Sequence, residues 1–197
     1  LSKESTFSFL KKSDNILPDN MRGYVVDPAV DINLQDTSEE SLKKSAESVF
    51  EKVDAILPNT VVVKYNADIN YEFNGFNVLS YFVEKAKEQD FYVVFLFEGE
   101  KYSVTKTDAE KIIEKISAYN ADAVMLHSEK SDVSAKVKEL KDGLGEKDIK
   151  FGIYCNDAPD EQTVINIIAA DFCFVQINYS SENGAENIVK QWAQIAL

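Results

Sequence analysis

The chain has 197 residues, 45% hydrophobic and 28% charged, with 34 acidic against 21 basic side chains and a formal net charge of −13. Its only arginine is Arg22 and no run is rich in lysine, so neither a nucleic-acid backbone nor an anionic membrane surface finds a cationic footprint. The apolar run FYVVFLF (91–97) is seven residues long, far short of the ~20 a membrane-spanning helix needs.

Residues 1–20 are polar apart from FSFL (7–10) and read as an N-terminal arm or tether. Residues 21–197 read as a single domain; a chain of this size buries roughly 70% of its unfolded surface, enough for one sizeable core. The chain opens on Leu1 rather than Met, which reads as a processed or trimmed form from which any export signal would already be gone.

From residue 21 a regular alternation begins. Six short runs rich in Val, Ile, Phe and Tyr predict strands: GYVV (23–26), TVVVKY (60–65), FYVVFLF (91–97), AVMLH (123–127), KFGIY (150–154) and FCFVQI (172–177). Most do not alternate apolar with polar residues, the pattern of strands covered on both faces of a parallel sheet. Helical patterns lie between them. The first spans 38–56, with Leu42, Ala46, Val49, Phe50, Val53 and Ile56 on one stripe and Thr37 and Glu40 at capping-box spacing. A second spans 77–88, with Leu79, Phe82, Val83 and Ala86. A third opens on the box Thr107 and Glu110 and buries Ile112, Ile113 and Ile116. The fourth (131–142) carries Val133, Val137 and Leu140, and DGLG (142–145) supplies a glycine stop. The fifth (160–169) carries Val164, Ile165, Ile167 and Ile168. The sixth (184–196) presents Ile188, Val189, Trp192 and Ile195, which makes Trp192 a core residue.

Six βα units mean an α/β fold with parallel strands and right-handed crossovers. An open doubly wound sheet and a TIM-type (β/α) barrel both fit. A full eight-unit barrel takes ~250 residues, so the chain is about two units short of one. DPAVDIN, not a glycine-rich phosphate loop, follows the first strand, which argues against a dinucleotide fold. No CxxC spacing supports a zinc or redox site, one histidine is too few for a typical metal centre, and no cofactor or metal is expected. Cys155 is placed just past the end of strand five and Cys173 near the start of strand six. That predicts a separation on the order of 10 Å or more and two reduced thiols rather than a disulfide.

Several stretches together resemble one family. MRGYVV (21–26) resembles the first strand of the glycosyl-hydrolase-like family 10 domains, bacterial barrels that often open with Met-Arg-Gly and a hydrophobic strand. ESVFEKVDAILPNTVVVKYN (47–66) resembles their first helix and second strand, and FNVLSYFVEKAKEQDFYVVFLFE (76–98) their second helix and third strand. IKFGIYCND (149–157), AADFCFVQINYSS (169–181) and NIVKQWAQIA (187–196) are similar to a fifth strand, a sixth strand and the helix that follows. The resemblance implies a TIM-type barrel, action on cell-surface or dietary glycans, export to the cell envelope or beyond, and acids at the C-terminal strand ends. The chain departs from the pattern in three places. Strands seven and eight have no counterpart, so the barrel is truncated, completed by a partner or closed unusually. The acidic cluster after strand four is replaced by His127 and Ser128, with Glu129 next. After strand five Tyr154-Cys155 replace Ser-Pro, and after strand six Asn178-Tyr179 replace Tyr-Trp.

Glycoside hydrolysis normally uses two carboxyl groups, one protonated and one ionised. Asp27, Asp68, Glu98, Glu129 and Asp157 fall at predicted strand exits. Glu98 follows seven apolar residues, a setting that raises a carboxyl pKa, so it is the favoured acid, with Asp157 as its partner. Asp27, followed by Pro28, reads equally as a turn residue. His127 suits acid–base chemistry. Tyr65, Asn66, Tyr154, Asn156, Gln176, Asn178 and Tyr179 also fall at strand exits. Among these and Asp27 the expected substrate contacts are Asp27, Tyr65, Asn66, Tyr154, Gln176 and Tyr179. Three functions fit: a glycoside hydrolase, a non-catalytic descendant that binds glycan or peptidoglycan, and an assembly module. In the third, a homodimer or missing C-terminal strands cover the open sheet edge.

Overall fold

A computed structural model of the chain describes residues 15–18, 21–54, 58–98, 102–127, 134–155, 161–175, 178–179 and 188–189. All six apolar runs form strands: β1 (Gly23–Val26), β2 (Thr60–Tyr65), β5 (Tyr92–Phe97), β6 (Ala123–His127), β7 (Lys150–Cys155) and β8 (Phe172–Val175). They make one parallel sheet in the order β1-β2-β5-β6-β7-β8, so each strand pairs with the strand before it in the sheet. A doubly wound sheet reverses its order partway. This one never does, and it curls as a half-barrel. The fold is α/β and TIM-barrel-like, with an incomplete ring of six parallel strands.

The helices are α1 (Pro28–Asp31), α2 (Glu39–Asp54), α3 (Val78–Glu88), α4 (Ala109–Ser117), α5 (Ser134–Gly145) and α6 (Glu161–Ala169). The main core lies between them and the sheet. It joins Leu42, Ala46, Val49, Phe82, Ile112, Val137 and Leu140 to the outward strand residues Val61, Val63, Val93, Phe95, Val124, Phe151 and Ile153. The opposite residues of the same strands form a second, concave cluster that contains no helix residue: Val62, Tyr92, Val94, Leu96, Ala123, Met125, Tyr154, Phe172 and Phe174, with Met21. Period-two alternation therefore separates a helix side from a concave side.

Several predicted details shift. Ser38, not Thr37, begins the first long helix: its hydroxyl accepts from Ser41 N at 3.4 Å and its carbonyl from Leu42 N at 3.0 Å. Asp108, not Thr107, caps α4 through Glu110 N at 3.0 Å, while Thr107 donates its hydroxyl to the Ser103 carbonyl. Helix α5 runs through Gly143 to Gly145, beyond the expected glycine stop. The turn is made instead by Asp148 at φ 58°, with Asp148 N on Gly145 O and Ile149 N on Leu144 O. Asp90 (φ 61°) ends α3 in the same way, and Asn120 (φ 54°) follows α4. Short polar side chains tolerate this left-handed turn. Ile165 and Ile168 on α6 are exposed rather than buried. Ile188–Val189 form strand β10, paired antiparallel with β9 (Asn178–Tyr179), not the expected helix. Both are β-branched and favour extended backbone. Trp192 lies outside the described residues.

Between β2 and α3 the chain inserts a hairpin, β3 (Glu72–Phe73) and β4 (Phe76–Asn77). Asn74 (φ 52°) and Gly75 (φ 82°) form its two-residue turn. Asn77 then caps α3, accepting from Leu79 N and Ser80 N at 3.1 and 3.0 Å.

The N-terminal ends of the strands are tied by acidic or amide side chains. Asp122, just before β6, accepts from Val93 N at 2.8 Å and pairs with Lys87 at 2.8 Å. Asp171, just before β8, accepts from Phe151 N at 2.9 Å and pairs with Lys141 at 3.2 Å. Asn59, just before β2, accepts from Arg22 N at 2.7 Å. Asn15 lies across this end: its amide donates to the Asp122 and Asp148 carbonyls, and its carbonyl accepts from the Tyr92 hydroxyl at 2.8 Å.

On the concave face Gly152 stands opposite Phe172. A Cβ at Gly152 would come within 2.3 Å of the Phe172 ring. Gly152→Ala is expected to cost about 1–3 kcal/mol through overpacking, read as a lower midpoint in urea. The double variant Gly152→Ala/Phe172→Leu is expected to recover part of that loss. A Gly152→Ala chain as stable as the wild type would contradict this packing.

Candidate functional site

The concave face is apolar through the middle of the sheet and turns polar and charged at the C-terminal ends of the strands. Val62, Val94, Leu96 and Met125 are fully buried and form the floor. Continuing the same alternation, Lys64, Glu98, His127 and Tyr154 come next on β2, β5, β6 and β7. Glu98 lies one residue past β5 but keeps its place in the ladder, because its N–H donates to the Tyr65 carbonyl at 3.0 Å. Ser103 takes the position opposite His127 in a single parallel bridge after the chain loops out. Its hydroxyl is buried and has no partner among the described residues.

The Lys64 ammonium lies 3.7 Å from a Glu98 oxygen, with about a third of each side chain exposed. Such a pair adds only about 0–1 kcal/mol to stability, so its interest is electrostatic. The His127 and Tyr154 rings meet edge to face at 5.2 Å between centroids. Burial holds the His127 pKa below the ordinary histidine value; the Glu98 charge opposes that shift and Lys64 reinforces it. His127 is therefore a neutral imidazole at neutral pH, able to accept a proton. Burial, then the charge of Glu98, pushes the Tyr154 phenol up to about 12, so it stays protonated and can donate. Among the described residues the mouth thus holds the Lys64 ammonium, the Glu98 carboxylate, the neutral His127 imidazole, the Tyr154 phenol and the Ser103 hydroxyl above an apolar floor. Among the described residues no group of three or more His, Cys, Asp or Glu side chains could hold a metal ion.

The structure brings Glu98, His127 and Tyr154 together and sends other candidates elsewhere. Tyr65 does not reach the mouth. It points to the helix side, buried among Tyr71, Phe95, Phe97 and Tyr119, because position 65 has the parity of Val61 and Val63. Asp27 caps α1, accepting from Ala29 N at 3.1 Å. Asn66 closes its own turn, accepting from Asp68 N at 2.9 Å. Asp157, Gln176, Ser128, Glu129 and Asn156 lie outside the described residues, as do the side chains of Asn178 and Tyr179. Sequence reasoning missed Lys64, whose signal was a lone lysine inside an otherwise apolar strand. It also missed Ser103, which arrives only through the loop after β5.

No protein-family model matches the chain, and no curated protein matches it significantly. Solved structures are similar in part. A class V chitinase from Pseudomonas fluorescens Pf-5 aligns at 14% identity and a TM-score of 0.46, over 83% of this chain and 58% of its own. A chitinase from Chromobacterium violaceum ATCC 12472 aligns at 12% and 0.48, over 85% and 57%. A human mitochondrial enolase superfamily member aligns at 12% and 0.45, over 89% and 38%. The chain spans less than three fifths of the length of these proteins. They differ in chemistry, and the likeness singles out none of their activities.

His127 is the chain's only histidine, so its ring protons give one resolvable NMR titration. Its midpoint is expected below 6.5, lower still in Glu98→Gln and higher in Lys64→Met. The unfolded chain takes up this proton at higher pH than the folded one, so the His127 contribution to stability falls as pH drops through the window below ~6.5. A wild-type midpoint at or above 6.5 would contradict a buried imidazole.

Proposed function

We propose that this chain is a glycoside-hydrolase-like barrel that binds carbohydrate at the C-terminal mouth of its sheet. The observation that carries the reading is the convergence of Lys64, Glu98, His127 and Tyr154 above the floor of Leu96 and Met125. Active sites of TIM-type barrels lie at this end of the strands. Sugar hydroxyls suit the carboxylate, ammonium and imidazole, and the buried Tyr154 ring packs against His127 and steadies it. The resemblance of residues 21–197 to the glycosyl-hydrolase-like family 10 domains points the same way, and with it a location outside the cell or in the cell envelope.

Binding is favoured over hydrolysis. Hydrolysis needs a second carboxyl group at ~5–9.5 Å from the first, and among the described residues the charged partner of Glu98 is Lys64. Asp157 is the candidate for that second group.

The test is mass spectrometry of oligosaccharides and peptidoglycan fragments incubated with the wild type, Glu98→Gln and Asp157→Asn, alongside the His127 resonances during glycan titration. The expected result is a His127 shift that saturates with at least one glycan, weakens in Glu98→Gln, and comes with no new product. A new product lost in both variants would make the protein a hydrolase. No His127 response to any glycan, with the resonances otherwise native, would remove carbohydrate from the mouth.

A further inference from the structure

The sequence places Cys155 and Cys173 far apart, and the structure does not. Cys155 is the last residue of β7 rather than one beyond it, and both side chains point to the helix side of neighbouring strands. Their sulfurs are 3.9 Å apart, and both residues are buried. Neither is in a disulfide.

The register explains why. Cys173 stands opposite Ile153 and Cys155 opposite Val175, so the two cysteines are staggered by two residues. Two steps of ~3.3 Å along the strand and ~4.8 Å between strands place their Cα atoms roughly 8 Å apart. An unstrained disulfide needs them within ~7 Å. The side chains lean toward each other far enough to meet, but the backbones are too staggered for the sulfurs to bond.

Such a pair is suited to hold something between its sulfurs. Metal–thiolate bonds of about 2.3 Å reach two sulfurs up to ~4.6 Å apart. Among the described residues no third His, Cys, Asp or Glu side chain joins them. Two sulfurs as the ligands among the described residues suit an ion content with two soft donors rather than a four-ligand zinc ion. The surroundings are apolar: Ile153, Phe151 and Ala170 belong to the same buried cluster. A net charge there is costly.

We propose that Cys155 and Cys173 form a two-coordinate site for a soft monovalent cation of the copper(I) type. The cation replaces one proton shared by the two thiols: two S–H groups and M⁺ give one thiolate–M–thiol unit and one released H⁺. Two metal–sulfur bonds form, one S–H bond breaks, nothing is oxidised, and the core stays neutral. Soft sulfur ligands select this class of ion over magnesium, calcium or manganese.

The probe is copper(I) under anaerobic conditions, added to the whole chain in competition with a chromogenic copper(I) chelator. The expected result is one copper per chain, with one proton released, and uptake abolished in both Cys155→Ser and Cys173→Ser. X-ray absorption of the loaded wild type is expected to give two sulfur neighbours, a readout that stands even where a serine variant fails to fold. Three outcomes would each overturn the proposal: no uptake by the wild type, undiminished uptake by either folded single variant, or a purified wild-type chain two hydrogens lighter than its reduced mass, which would mean that the sulfurs bond to each other.

Discussion

Each strand sends alternate side chains to opposite faces of the sheet, and among the described residues helices cover only one of those faces. Almost every other feature depends on that constraint. The helix side takes the branched and aromatic bulk of the core. The concave side fills its hollow with Tyr92, Leu96, Met125, Phe172 and Phe174, with Met21 and Leu17 packed against them. The apolar filling stops at Val62, Leu96 and Met125, before the C-terminal strand ends. There Lys64, Glu98 and His127 occupy positions that an unbroken core would give to aliphatic residues. The polar mouth is thus continuous with the packing beneath it and held by the same backbone ladder.

The opposite end of the sheet is tied in a repeating way. Asp122 and Asp171 each stand just before a strand, accept from an N–H of the preceding strand and pair with a lysine of a helix. The acidic group ends a row of backbone donors that would otherwise have no partner. Lys87 and Lys141 lie on α3 and α5, so the device recurs once in every two βα units. Asn59 fills the equivalent position before β2 without a charge.

The fold was more legible in the sequence than the site. Six apolar runs marked six strands because strands buried on both faces leave a nearly continuous signal. Helix stripes such as Leu79, Phe82, Val83 and Ala86 matched the buried faces because packing rewards that spacing. Caps slipped by one residue because Thr37 and Thr107 stand beside stronger or better-placed partners, Ser38 and Asp108. The site was harder, since it depends on parity. Tyr65 and Lys64 are neighbours, and only the register decides which of them faces the hollow. Cys155 and Cys173 are reduced as expected but closer than expected for a related reason: β8 starts opposite Gly152 rather than Lys150, and this register turns a separation of a full strand into a diagonal contact.

The unbroken strand order bears on how the molecule comes into being. Since each strand of the sheet pairs with its predecessor, every pairing partner has already left the ribosome when the next strand emerges. β1 and β2 can associate before β5 exists, and the sheet can grow from its N-terminal end one βα unit at a time. Each pairing closes a loop of one crossover, shorter than the loop that a strand joining a more distant predecessor would close. A doubly wound sheet leaves the second edge of an early strand open until the strand after the reversal arrives; in this chain the growing edge always belongs to the latest strand.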